Sequence, residues 1–223
     1  MTDEPIWLRP ERAATGRPAE RSRAEITAAA LAVADRGGPD AVSMRGVAEE
    51  LGTGPASLYR YVTGRDDLLD LMVDATAAEY RLAAPTGDAA LDLADLAEQA
   101  LAIMLRHPWL PELVLTRPVL GPGTVAVLDH VLLILDGYPG PAKLEVFALL
   151  NAITATFALG EIAASKRAGH AAAYLAYVAA SGERPRVTEL MAELAETDAG
   201  GRRRERLREL IGNLVDSLPT SAQ

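Results

Sequence analysis

Apolar residues return at intervals of three and four along almost the whole of this 223-residue chain, the spacing that lays one apolar stripe along an α-helix. The alternating β-branched runs that mark strands are missing. Proline and glycine interrupt the pattern at Gly37-Gly38-Pro39, Gly52-Thr53-Gly54-Pro55, Ala84-Pro85-Thr86-Gly87 and Gly121-Pro122-Gly123. They do so again from Gly137 to Pro141, from Gly182 to Pro185 and at Gly200-Gly201. Such breakers divide the chain into roughly nine or ten helices. The expected fold is all-α, with short helices first and a longer Leu- and Ala-rich helical body from residue 88 onward.

The composition removes several classes of chemistry. The chain has no cysteine, so disulfides, Cys-ligated zinc and thiol nucleophiles are excluded. Its histidines, 107, 130 and 170, are far apart in sequence and form no His-x-x-x-His pair, so neither a metal nor a cofactor is expected. There is no Gly-x-Ser-x-Gly elbow, P-loop or dinucleotide fingerprint, and an enzyme is not expected. The start, MTDEPIWLRPERAATGRP, lacks the apolar core of a secretory signal. The longest uncharged apolar stretch, Val146 to Gly160, is 15 residues and includes Asn151, Thr154 and Thr156. A membrane span needs about 20 residues, so this stretch reads as a buried helix in a cytoplasmic protein with no membrane partner. The net charge of −9 opposes indiscriminate coating of nucleic acid. Arg9, Arg12, Arg17, Arg21 and Arg23 nevertheless make the charge locally positive ahead of the first helix, against only Glu11 and Glu20.

The spacing predicts a first helix over Ser22–Arg36, with Ile26, Ala29, Ala30, Val33 and Ala34 on one face. A second, Met44–Leu51, has Ser43 placed to cap it. Gly52 stands where a helix commonly ends in the left-handed conformation. Pro55 then opens a new helix at the position proline favours. In that helix Leu58 and Val62 form an apolar pair, leaving Ser57, Tyr59, Arg60 and Tyr61 outward. Thr63-Gly64-Arg65-Asp66 fits the capping-box spacing and starts a long helix bearing Leu68, Leu69, Met72 and Ala75. Two short helices joined by Gly52-Thr53-Gly54 describe a helix-turn-helix. Hydroxyls, phenols and guanidinium groups on its second helix suit base edges and phosphates. On spacing alone, a plain helical corner in an enzyme or an interaction protein remains the alternative.

The run from Ala24 to Asp74 carries three more specific signals: the Leu51-Gly52 helix end, Leu58-Tyr59-x-Tyr61, and Asp67-Leu68-Leu69. Together they resemble the DNA-binding region of the TetR family of transcriptional repressors. The resemblance implies a flexible arm over 1–20, a three-helix DNA-binding domain over 21–66, and a ligand-binding and dimerisation domain over 67–223. It implies contacts to a palindromic double-stranded operator from Ser43, Arg45, Thr53, Gly54, Pro55, Ser57, Tyr59, Tyr61 and Arg65. Burial against the first helix is the alternative for both tyrosines. Arg65 stands where the family usually has lysine, so its phosphate contact would differ in geometry. Arg17 is the candidate for insertion into an adjacent minor groove, with a solvated tail as the alternative.

The remainder weakly resembles the ligand-binding half of the same family, including its antibiotic-type subgroup. That resemblance implies a homodimer released from DNA by a small-molecule inducer. The helix expected over Lys143–Arg167 and the terminal one over Arg203–Leu218 are the interface candidates. The second carries Leu207, Leu210, Ile211, Leu214, Val215 and Leu218 as a stripe, which packing within the chain would equally explain. Polar and aromatic residues within apolar helices are the pocket candidates: His107, Trp109, His130, Asn151, Thr154, Phe157 and Glu161.

Overall fold

In the computed structural model, residues 4–11, 21–195 and 199–218 are described, with the side chains of 165–172, 194–195 and 199–203 outside the description. Ten α-helices and three short 3-10 turns make up the regular structure, and no strand occurs among the described residues. Helix α1 spans Arg23–Gly37. Its start is a full capping box: the Ser22 hydroxyl accepts from the Glu25 amide at 3.2 Å, and the Glu25 carboxylate accepts from the Ser22 amide at 2.8 Å. Helix α2, Met44–Glu50, begins with the Ser43 hydroxyl accepting from the Gly46 amide at 3.0 Å. It ends at Gly52, whose φ of 63° is the left-handed conformation expected there. The amides of Gly52 and Thr53 then reach back to the carbonyls of Glu49 and Ala48, the paired bonds of a Schellman end. Helix α3 is one turn, Pro55–Leu58.

Helix α4, Arg65–Thr76, packs on α1 on one side and on the C-terminal body on the other. The boundary expected between residues 66 and 67 therefore falls inside a helix that serves both halves. Its start also differs in detail from the sequence reading. Asp67, rather than Asp66, accepts from the Thr63 amide at 2.6 Å and from the Thr63 hydroxyl at 2.8 Å. Asp66 points away to Arg117 instead.

The body is built around α5, Ala89–Arg106, which packs against α8 and α10. Helices α6, Leu110–Thr116, and α7, Pro122–Ile134, lie between α4 and α8. Helix α8, Gly140–Ser181, has 42 residues and is much longer than the sequence reading gave it. The lone Gly169 between Arg167 and Gly182 does not interrupt the helix, which continues until Gly182 ends it at φ 70°. Its section Gly140–Ala164 is 25 residues, long and apolar enough to cross a membrane by length and composition. The 15-residue estimate stopped at Glu145 and Glu161, which do not end the helix. Val146, Leu150, Thr154, Ala155 and Ala158 of this section are buried, on a helix that packs against α5 and α6. Helix α9, Pro185–Ala195, returns along α8, and α10, Ala199–Asp216, closes on α5. Leu207, Ile211 and Val215 are buried within this single chain. Packing within the chain thus accounts for these three positions of the terminal stripe, while Leu210, Leu214 and Leu218 are half-buried.

Residues 4–11 correct the expectation of a flexible arm over this part of 1–20. Ile6 is 2% exposed. The Arg23 side chain donates to the carbonyls of Ile6, Arg9, Pro10 and Tyr61, while Arg9 pairs with Asp67 at 2.5 Å. One apolar side chain and a web of bonds to backbone carbonyls hold the segment down.

Candidate nucleic-acid interface and ligand cavity

The outward face of the helix-turn-helix is set by which side chains the turn after α3 consumes. The amides of Tyr61 and Val62 both donate to the Leu58 carbonyl, at 2.9 and 3.1 Å. That turn carries Leu58, Tyr61 and Val62 inward together, and all three are buried. Tyr61 is therefore packed in the core, the alternative that the sequence left open for it; its spacing of three from Leu58 was the available signal. Tyr59, on the opposite side, is 57% exposed. Gly54, Pro55 and Arg60 are also exposed. Arg45 extends from α2 with its side chain 84% exposed, paired with Glu49 at 2.9 Å.

Other expected contacts carry local duties. Ser57 donates to the Gly54 carbonyl at 2.8 Å and lies 3.0 Å from the Thr53 hydroxyl, so both shape the turn. Ser43 caps α2. Arg65 uses its guanidinium within the protein, donating to the carbonyls of Val42 at 3.0 Å and Pro39 at 2.8 Å beside Asp40. The phosphate-holding role expected of it meets a side chain already bracing the start of α4 against the turn before α2. Arg17 lies outside the described residues.

The pocket candidates separate into three places. Asn151 lines a small cavity of about 60 Å³ with Thr76, Tyr80, Met104, Thr124 and Phe147, among others. Its amide donates to the Phe147 carbonyl one turn earlier at 2.9 Å. Thr154, on the same helix, is fully buried and its hydroxyl has no partner; Phe157 is half-buried against the core. Glu161 is half-buried one turn further on. His130 instead borders a shallow hollow with Arg81, Thr86 and Gln99 on the surface of α5. His107 and Trp109 belong to the junction between the halves: the Trp109 indole donates to Asp35 of α1, and His107 Nδ1 is hydrogen-bonded to the same oxygen, at 2.7 Å each. The sequence reading passed over Tyr80, which stands outside the apolar helical runs, and Thr124, which lies in the first turn of α7 directly after Gly121-Pro122-Gly123. Burial first, and then the nearby Glu79 charge, push the Tyr80 phenol well above its ordinary pKa, so it stays neutral.

Three further contacts join α4 to the body. Arg117 donates to Asp66 at 3.0 Å and to Asp70 at 2.8 Å. Desolvation opposes its charge, yet the two carboxylates hold its pKa above the ordinary value. Asp74, buried on α4, accepts from the amides of Gly123 and Thr124 and from the Thr124 hydroxyl. It thus caps the start of α7 from another helix. Gly121 permits this approach, since a Cβ there would fall 2.5 Å from the Asp74 carboxyl carbon and 2.6 Å from the Trp7 ring.

Comparison with known proteins agrees with this arrangement. Residues 26–72 match the profile of bacterial regulatory proteins of the tetR family, and residues 83–200 match that of the tetracyclin repressor-like C-terminal domain. The HTH-type transcriptional repressor DrrR1 of Streptomyces coeruleorubidus is 40% identical over 135 residues, 59% of this chain and 49% of that protein. An HTH-type transcriptional regulator of Saccharopolyspora erythraea is 34% identical over 161 residues, 71% of this chain and 66% of that one. The aligned part thus spans about half the length of the first relative and just under two thirds of the second. The crystal structure of apo ActR from Streptomyces coelicolor superposes with a TM-score of 0.77 at 28% identity, covering 91% of this chain and 97% of that one. ActR has also been solved in complex with actinorhodin, again at a TM-score of 0.77, with 26% identity over 92% of this chain and 100% of that one. With both halves matched in order, the chain belongs to the tetR family of bacterial regulatory proteins.

Proposed function

We propose that the protein is a cytoplasmic repressor that binds a palindromic operator as a homodimer and leaves it when a small molecule enters the C-terminal body. The observation that carries the DNA half is Tyr59, more than half exposed between the buried Leu58 and the buried Tyr61. A large aromatic turned to solvent on the same helix-turn-helix as the exposed Arg45 and Arg60 suits a phosphate or a thymine methyl. Ser57 and Pro55 complete the recognition surface, and phosphate neutralisation by the arginines makes binding strongly salt-dependent.

Dimerisation is supported by α8, whose exposed face runs through Ala148, Leu149, Thr156, Leu159, Gly160 and Ala163, with the exposed Glu145 marking its N-terminal edge. A single helix face this apolar calls for a partner. The inducer reading is supported by the cavity beneath α4 and by the complexes of ActR, which shares the fold. At about 60 Å³ the cavity is far below the roughly 300 Å³ or more of a drug-sized site. A ligand there must part α4, α6 and α8, and α4 carries the helix-turn-helix. Such a ligand binds the parted state better and shifts the population toward it.

The test is selection of fragments from sheared genomic DNA of the host at two salt concentrations, followed by sequencing. A shared palindrome, enriched more at low salt and lost in the Arg45→Ala/Tyr59→Ala protein, is expected. Enrichment unaffected by those substitutions would return the helix-turn-helix to a structural role in an interaction protein.

A further inference from the structure

The junction between α1 and the body holds one histidine between two carboxylates. His107 follows α5 as its C-cap. Its Nδ1 lies 2.7 Å from Asp35 Oδ1 near the end of α1, and its Nε2 lies 2.8 Å from Glu79 Oε1 in the turn after α4. The side chain is 14% exposed. Asp35 Oδ1 also accepts from the Trp109 indole at 2.7 Å, and a tryptophan nitrogen can only donate. The other oxygen of Glu79 accepts from Arg106 of α5. The oxygens facing the ring are therefore acceptors, and each ring nitrogen must bring a hydrogen. A neutral imidazole has only one N–H; the imidazolium has two. The charged groups facing the ring are Asp35 from α1, Glu79 from the turn after α4 and, across Glu79, Arg106 from α5. Trp109 adds its ring at a centroid distance of 5.6 Å.

We propose that Asp35, His107 and Glu79 form a proton-dependent latch between the helix-turn-helix and the C-terminal body. It is closed while both nitrogens of His107 carry hydrogen and released when one is lost. On release, one carboxylate faces a lone pair in place of a donor. If that carboxylate is Asp35, α1 keeps only the Trp109 bond at this site. Since α1 leads directly into α2 and α3, the latch makes His107 a positioning residue for the recognition surface. This last step rests on the operator reading above; the latch itself does not.

The first measurement is amide exchange in the last turn of α1, residues 33–37, corrected for intrinsic rates, in the full chain between about pH 5 and 8, where imidazole ordinarily changes charge. Protection is expected to fall as pH rises, by at most about tenfold per pH unit for one linked proton. In His107→Gln, which stays uncharged throughout, protection should not vary with pH. A second readout uses Trp7→Phe, which leaves Trp109 as the single tryptophan of the two. Its emission should follow the same transition and lose it in the added presence of His107→Gln. Equal pH dependence of exchange with and without His107→Gln overturns the latch, as does emission that does not change with pH. Affinity for a recovered genomic fragment should decline with pH more steeply in wild type than in His107→Gln. If no fragment is bound at any pH, the operator reading fails, while exchange and emission still decide the latch.

Discussion

At the scale of single residues, neighbours in sequence have opposite fates. Tyr59 and Tyr61 are two positions apart on what looks from sequence like one polar face, yet one is exposed and the other lies in the core. Tyr61→Ala is expected to cost about 3 kcal/mol of stability, as for other large buried aromatics. Tyr59→Ala should stay within about 0.5 kcal/mol while weakening DNA binding. Denaturant unfolding of the two variants, set beside fragment binding, separates them. Ser43 was legible as a cap from sequence alone, and Ser43→Ala should cost about 1 kcal/mol in the same unfolding assay. Arg65 could not be read this way: the carbonyls that occupy it belong to Pro39 and Val42, more than 20 positions earlier.

Individual elements show how contacts from elsewhere complete local signals. The start of α4 carries a spacing that fits a capping box at Asp66, but Asp67 closes it because Arg9 of the N-terminal segment also binds there. Burial alone would raise the Asp67 pKa. The bonds from Arg9 and from the Thr63 amide and hydroxyl outweigh it and hold the carboxyl below its ordinary value. A carboxylate depressed in this way contributes stability that is complete above the ordinary carboxylate range and is lost as pH falls through the lowered value. Acidification should therefore narrow the stability gap between wild type and Asp67→Asn, as unfolding midpoints measured across the acid range would reveal. The start of α7 is similarly finished by Asp74 of α4, with Gly121 leaving the room. Gly121→Ala should cost on the order of 1–3 kcal/mol, the usual penalty for overpacking, because both neighbours are held. A melting temperature unchanged from wild type would show that the loop can yield.

For the molecule as a whole, α4 is the element through which the two halves meet, supported by Arg117, Asp74 and the contacts of residues 4–11. Loss of the Arg117 pairs in Arg117→Ala should leave fold and self-association intact and reduce operator affinity, because the orientation of α4 becomes less defined. Sedimentation paired with fragment binding checks both halves of that expectation. The exposed apolar face of α8 belongs to the same scale. A charge placed there by Leu149→Glu should yield a folded monomer with weakened DNA binding, since each half-site would be held alone. A dimer that persists would move the interface elsewhere.

Periodicity, breakers and caps reach only a few residues along the chain, so the sequence by itself determined the helical class, the helix-turn-helix and the ends of α1 and α2. Their physical causes, a hydroxyl three residues from an amide or a glycine at positive φ, are local. Tertiary structure alone decided which candidates share a site. His107 and Trp109 reach Asp35 across more than 70 positions, and the terminal stripe finds α5 about 110 positions earlier, near the Arg208–Glu98 pair. A helical pattern states that one face must be buried but not against what, because many apolar faces in the same chain are equivalent partners until packing selects among them.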